Sequence, residues 1–356
     1  MPVVVAYCRA GFDAEAAEDL ARTFGAIRTV VQIDVLPGRG YVIASAGTLA
    51  FDEWTRASTR TPPMFIRAAF VGTGPHTLVG PSPGVRPDRV APIVAAIATT
   101  SFGAVRDVWV EFPDTNDGKA LSTLARALEP RLTAVLQERG ALDTAAARHL
   151  HVFLTDGATA YVGVSDAARG SPWPMGIARV RVPYGAPSRS ASKLAEAVAV
   201  FLGADHDEML KTGMRAVDLG AAPGGWSWYL AQRGLKVTAV DNGSLKGDVS
   251  IDPRVTHVRA DGLSWRPRAP VDWLVCDIVL QPIRIAALVG DWIAEGLARR
   301  AIVNLKLPMK RRYAEVERCL DLLRSRLRET GVTADLTVRQ LYHDREEVTL
   351  YVARRD

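Results

Sequence analysis

Apolar and polar positions along the chain repeat with two periods, one close to 2 and one close to 3.6. Val3–Tyr7 is a short apolar run and predicts a strand. From Asp13 to Phe24, Ala and larger apolar residues recur at helical spacing, with Asp13 as a candidate N-cap. Ile27–Val35 and Gly40–Ala44 predict strands on either side of a Pro37-Gly38 turn, and Phe51 to Ser58 predicts a short helix. This β-α-β-β-α order suits a ferredoxin-like α+β unit over residues 1–60. A second unit follows over residues 61–168. Its expected elements are a strand at Ile66–Gly72, a helix from Arg89 to Thr99, a strand at Val105–Phe112 and a helix from Leu121 to Arg139. In Val105–Phe112, Val108 and Val110 alternate with Asp107, Trp109 and Glu111, which predicts that those three face away from the core. Strands at His149–Leu154 and Ala160–Ser165 around Asp156-Gly157 end the unit.

Residues 169–187 break both periods. Gly170, Pro172, Pro174, Gly176, Arg179, Arg181, Pro183, Gly185 and Pro187 make this stretch a linker or bridging arm. Within it, Trp173 and Met175 read as a packing patch. Regular patterning resumes over residues 188–356. A helix with Leu194, Val198 and Phe201 on one face is followed by apolar runs near Ala216, Val237, Val255, Trp273 and Ala301, with helical stretches between most of them. That alternation predicts a doubly wound parallel sheet. Ala334–Tyr342 and Glu347–Ala353, joined through His343-Asp344-Arg345, predict an antiparallel hairpin at its end. The fold class is α/β, and the terminal hairpin looks like a class I (Rossmann-like) methyltransferase domain, not the plain dinucleotide fold.

Composition narrows the class. The 356 residues are 48% hydrophobic and 23% charged, enough for several cores. Cys8, Cys276 and Cys319 lack paired spacing, which argues against a disulfide framework and a structural zinc, and a cytoplasmic protein is expected with no metal. No apolar stretch reaches membrane-spanning length, and Pro2-Val-Val-Val-Ala is too short for a signal peptide. A net charge of +5 leans mildly toward a polyanionic partner.

The densest signal is Ala216-Val-Asp-Leu-Gly-Ala-Ala-Pro-Gly-Gly-Trp226, which reads as strand, tight turn and helix. Glycines after a strand let backbone pass close to a ligand, and the helix that follows offers unpaired N–H groups. Asp241 closes the next apolar run at a spacing that suits ribose hydroxyls. Pro223 sits in the turn and the G-x-G-x-x-G fingerprint is missing, which disfavours a nicotinamide dehydrogenase. An adenosyl cofactor without phosphate, S-adenosylmethionine, fits better. Asp277 and Lys306 each end an apolar run, at the carboxyl edge where such sheets bind ligands. Burial would lower the Lys306 pKa and Asp277 would raise it, leaving the net shift open. Asp277 could also be a helix cap, Lys306 a snorkelling surface lysine, Lys193 a solvated one and Ser188 an N-cap or linker serine.

Asp218-Leu-Gly-Ala-Ala-Pro-Gly-Gly-Trp-Ser227 resembles the first motif of the FtsJ-like RNA ribose 2′-O-methyltransferases. Over nearly its full length the chain is similar to the branch of that family that adds a THUMP-containing N-terminal region and acts on a cytidine of 23S rRNA. CRAGF, APSRSASKL, VDNG, NLKLPMKRRY and QLYHDREEV carry that likeness. The resemblance implies a catalytic Lys-Asp-Lys-Glu set at Lys193, Asp277, Lys306 and Glu347, with Lys306 as proton acceptor; Glu346 remains an alternative to Glu347. It implies that Ser188, Ala221, Ala222, Pro223, Gly224, Asp241, Asp261 and Asp277 hold S-adenosylmethionine. Lys310, Arg311 and Arg312 are either RNA-phosphate ligands or a solvated helix face. The expected partner is 23S rRNA, free or partly assembled, met by a monomer without a protein partner. The competing readings are ribose methylation of another RNA and a non-catalytic RNA-binding assembly factor.

Overall fold

A computed structural model describes residues 1–79, 88–100, 102–181 and 184–355. The chain divides into two compact units, Met1–Ile177 and Ala178–Asp356. The division falls inside the stretch read as a linker, of which Pro183 lies outside the described residues.

The first unit runs β1 (Pro2–Tyr7), α1 (Asp13–Ala26), β2 (Val31–Asp34), β3 (Tyr41–Ala46), α2 (Phe51–Arg60), β4 (Ala68–Thr77), α3 (Val90–Ala98), β5 (Val108–Glu111), α4 (Ser122–Glu138), β6 (Arg148–Leu154) and β7 (Thr159–Asp166). Among the described residues its strands form one seven-stranded sheet in the order β2-β3-β1-β4-β7-β6-β5. β1 pairs with β4 from Pro2↔Thr73 to Tyr7↔Ala68, so residues 1–60 and 61–168 share that sheet. Both faces of β1 are covered, which is why its sequence is a continuous apolar run. Val4 and Ala6 pack with Leu20, Phe24 and Trp54 of the helices. Val3, Val5 and Tyr7 pack with Phe70, Phe153, Met175 and Ile177 on the other side. Trp173 is only partly buried. The backbone turns left-handed at Met175 (φ 55°) and Gly176 (φ 70°), and a Cβ on Gly176 would lie 2.6 Å from the carbonyl carbon of Arg67.

Two expectations fail here for long-range reasons. Asp13 is not an N-cap. It lies inside the first turn of α1, and its carboxylate accepts the backbone N–H groups of Gly38 and Gly40, each at 2.8 Å, so it clasps the turn between β2 and β3. Glu111 does not face solvent. It is buried and accepts from the Tyr7 hydroxyl at 2.5 Å and the Met175 N–H at 2.5 Å, with His151 Nδ1 at 2.7 Å.

The second unit runs α5 (Ala191–Leu202), α6 (His206–Met209), β8 (Arg215–Leu219), α7 (Gly225–Gln232), β9 (Lys236–Val240), β10 (Val255–Val258), β11 (Val271–Cys276), α8 (Pro282–Ala294), β12 (Ala298–Lys306), α9 (Arg312–Glu329), β13 (Ala334–Arg339) and β14 (Glu347–Arg354). Its sheet order is β10-β9-β8-β11-β12-β14-β13. The first five strands are parallel; β14 enters antiparallel between β12 and β13. No helix among the described residues is long and apolar enough to cross a membrane.

Candidate active site

Strand parity builds the site. Side chains two apart on a strand share a face, and cross-strand partners share it too. On one face of the second sheet this joins Trp273 and Val275 of β11, Ile302 of β12 and Tyr351 of β14, all in the core cluster under Leu194 and Val198 of α5. Continuing each strand by the same period toward one end of the sheet gives Asp277 after β11, Asn304 and Lys306 on β12, and Thr349 and Glu347 on β14. The register pairs Asn304 with Thr349 and Lys306 with Glu347. The face is thus apolar under α5 and turns polar at its rim.

At that rim the four residues of the expected set meet. Lys306 Nζ bonds both the Asp277 and the Glu347 carboxylates. Lys193, reaching in from α5, pairs with Glu347 and lies 3.5 Å from Asp277 Oδ2. Burial pulls the Lys306 ammonium down, but the two carboxylates outweigh it and hold its pKa above the ordinary lysine value. Glu346 is elsewhere: it precedes β14, is exposed, and pairs with Arg312 at 2.8 Å.

Several contributors were not anticipated. Asn304 Nδ2 donates to Asp277 Oδ1 at 3.0 Å, and Thr349 and Asp344 lie behind it. Glu196, three residues past Lys193, is buried and accepts the N–H groups of Tyr342 and His343 at 2.7 and 2.8 Å, pinning the loop that leads into β14. The available signal was a polar residue inside an apolar strand pattern, as in Ile302-Val-Asn-Leu305.

The glycine turn lies at the end of β8, next to β11 in the sheet. Gly220 has φ 74°, and a Cβ there would meet the Ile278 side chain at 2.3 Å, so the turn is pressed against the residue after Asp277. Asp241 Oδ2 accepts the Ala222 N–H at 3.0 Å and Oδ1 the Gly243 N–H at 2.6 Å, which ties the acid at the end of β9 to the turn. Ser188 Oγ lies 2.5 Å from Ser190 Oγ and 2.4 Å from where a Gly225 Cβ would be, against the start of α7. Gly262, next to Asp261, lies close to Leu219 and Gly220; Asp261 itself is exposed. Asp218 is sealed below the turn with Ser227 Oγ donating at 2.7 Å, and burial pushes its carboxyl up to about 7. Ser188, Ala221 to Gly224, Asp241, Asp261 and Asp277 therefore gather around one edge of the sheet.

The basic run divides. Lys310 and Arg311 are exposed, Arg311 with φ 56° immediately before α9, whereas Arg312 is partly buried beside Glu346. Farther along α9, Arg318, Arg324 and Arg326 pair with Glu315, Asp321 and Asp291.

Two family models match the chain: ribosomal RNA large subunit methyltransferase M, N-terminal, over residues 88–166, and FtsJ-like methyltransferase over residues 186–335. The second makes the C-terminal unit an FtsJ-like, Rossmann-like methyltransferase domain. The chain is 44% identical to the ribosomal RNA large subunit methyltransferase M of Laribacter hongkongensis, an alignment covering 97% of this chain and 95% of that protein. The corresponding protein of Azoarcus sp. is 43% identical, with 98% and 95% covered. That of Xanthomonas campestris is 40% identical, with 99% and 100% covered. On this identity over almost the whole of both lengths, the chain belongs to the ribosomal RNA large subunit methyltransferase M family and is a methyltransferase.

Proposed function

We propose that the chain transfers the methyl group of S-adenosylmethionine to the ribose 2′-hydroxyl of a cytidine in 23S rRNA. The observation that carries this is the meeting of Lys193, Asp277, Lys306 and Glu347 beside the glycine turn. When bound, S-adenosylmethionine supplies an electrophilic methyl group on a sulfonium. The residues around the turn fit that cofactor chemically. Asp241, already fixed by two backbone N–H groups, offers its remaining lone pairs to ribose hydroxyls. The turn brings backbone, not side chains, to the ligand, and the carboxylates of Asp241, Asp261 and Asp277 suit its positive charge. Ser188 and Ala221 to Gly224 complete the cradle.

A ribose hydroxyl is a weak nucleophile and must lose its proton as it attacks. Lys306 is the acceptor. Its resting ammonium first gives up a proton to solvent; the neutral amine then takes the one on the hydroxyl. Asp277 and Glu347 hold Nζ in place, and Lys193 shares their charge. Because the pKa of Lys306 is raised, the reactive fraction is small at neutral pH and grows as pH rises.

The relatives' names give ribosomal RNA of the large subunit; the 23S molecule and its cytidine rest on the resemblance of the sequence motifs alone. Free or partly assembled rRNA is the substrate form we favour, met by a cytoplasmic monomer. The N-terminal unit is assigned to RNA binding, with residues 61–168 as its THUMP-like part, and Lys310 and Arg311 supply exposed cations for phosphates beside the site. The test is single-turnover methylation from neutral to alkaline pH with saturating cofactor. Wild type should accelerate with pH. Lys306→Arg keeps the charge but cannot deprotonate, so it should be slower by on the order of 10²-fold or more with a flat profile. A mutant within a few-fold of wild type and with the same profile would leave Lys306 an electrostatic role only.

A further inference from the structure

Behind the catalytic corner lies a line of buried polar groups that the chemistry above does not use. Asn304 donates Nδ2 to Asp277 Oδ1 at 3.0 Å. Its Oδ1 lies 2.9 Å from Thr349 Oγ1. Thr349 Oγ1 in turn lies 2.9 Å from Asp344 Oδ2 and 3.2 Å from Oδ1. Asn304, Thr349 and Asp344 are all sealed from solvent, at 0%, 1% and 0% exposure, so water does not adjust the pattern.

Proton counting fixes the direction of every bond. The Asp277 carboxylate, bonded to Lys306, only accepts, so Asn304 must turn its amide NH₂ toward it. Asn304 Oδ1 then faces Thr349 and needs a donor; among the described residues Thr349 is the group within reach. The threonine hydroxyl has one proton, and this bond consumes it. Its oxygen can then meet Asp344 only by accepting. A carboxylate there would place two acceptors 2.9 Å apart with no proton between them.

We propose, resting on the catalytic reading above, that Asp344 is a neutral carboxylic acid heading a one-way chain of donors, Asp344 to Thr349 to Asn304 to Asp277, that positions the Asp277 carboxylate for Lys306. Burial raises the Asp344 carboxyl well above its ordinary range, with the neighbouring Glu347 and Glu196 charges adding to it against the Leu341 N–H and Thr349 bonds. The head of the chain is itself held in place. Leu341 N–H donates to Asp344 Oδ2 at 2.9 Å, and Glu196 pins the next two residues of the same loop. The Asn304↔Thr349 pairing lies two residues from the Lys306↔Glu347 pairing on one face, so the β12–β14 register aligns positioning and catalytic pairs together. Asn304, Thr349 and Asp344 act through Asp277 and are positioning residues.

The experiment compares Thr349→Val, Thr349→Ser and Asp344→Asn with wild type and with Lys306→Ala, reading kcat, KM for RNA and KM for S-adenosylmethionine. Thr349→Val removes the central donor and should lower kcat by about tenfold with both KM values unchanged. Thr349→Ser restores the hydroxyl and should restore kcat. Asp344→Asn keeps an N–H toward Thr349 and an oxygen toward Leu341, and should stay within a few-fold of wild type. An infrared difference spectrum, wild type minus Asp344→Asn at neutral pH, should show the carbonyl stretch of a protonated carboxyl. That reading stands even if Thr349→Val folds poorly. Wild-type kcat in Thr349→Val, or an ionised-carboxylate band in the difference spectrum, would overturn the chain. If Lys306→Ala also kept full activity, the catalytic assignment itself would fall; if Lys306→Ala is dead and Thr349→Val is normal, only the positioning chain falls.

Discussion

Each unit holds a network in which carboxylates gather side chains from several strands. In the first unit Glu111 gathers Tyr7, His151 and the Met175 N–H, and His151 Nε2 lies 2.8 Å from Ser165 Oγ. A serine, a histidine and an acid in this order match the connectivity of a nucleophilic triad. In the second unit Asp277 and Glu347 share Lys193 and Lys306. The difference is access and spare valence. The Glu111 and His151 side chains are each 1% exposed, so no substrate reaches them. Asp277 and Lys306, at the ends of parallel strands, and Lys193, on α5, are 19–20% exposed, and each lysine holds three donors. Buried, well-satisfied polar groups fasten a fold; chemistry needs groups left partly open.

Four measurements would break or sharpen that contrast. The largest effect should come from Lys306→Ala, which removes the group that binds both carboxylates. We expect methyl transfer to fall by about 10²- to 10⁴-fold, with affinity for adenosylhomocysteine and melting temperature nearly unchanged. Glu111→Ala should do the reverse. It strands Tyr7 and His151 in the core and should cost about 3–5 kcal/mol in chemical denaturation, leaving adenosylhomocysteine affinity alone. Full stability in that variant would remove the fastening role of the first network. Asp241→Ala should come next, weakening adenosylhomocysteine by about tenfold or more in calorimetry, through a lost acceptor and a loosened turn. Smallest is Glu346→Gln, which breaks an exposed pair with Arg312 worth about 0–1 kcal/mol and should leave turnover within a few-fold of wild type. Glu347→Gln in the same assay should lose far more. Equal effects from the two would mean that the β12–β14 register does not select the working carboxylate.

What the sequence revealed follows the range of the forces involved. Strands such as Val271–Cys276 and Ala298–Lys306 are legible because a buried parallel strand is apolar along its own length. Strand ends are then legible too, which is how Asp277 and Lys306 stood out. Asp13 and Glu111 escape a local reading because they bind partners as far as 27 and 104 residues away, and no local period encodes those contacts. β5 alternates as expected, yet Glu111 on its polar face is met by the Met175 N–H from beyond β7. Glu346 and Glu347 could not be separated by pattern alone; register separates them. Asn304 shows in the sequence only as a polar residue in an apolar run; its partners, Asp277 and Thr349, lie 27 and 45 residues away, just past β11 and on β14.

The position of β14 has a consequence for how the protein is made. It follows every other strand of its sheet in the chain, yet it lies inside the sheet, between β12 and β13, and carries Glu347 and Thr349. A ribosome that stops before residue 347 would release a product with β12 as an unpaired edge bearing Ile302, Val303 and Leu305. Such an edge invites aggregation and capture by quality control. A chain cut before Glu347 should therefore collect in the insoluble fraction on expression, where the full chain does not.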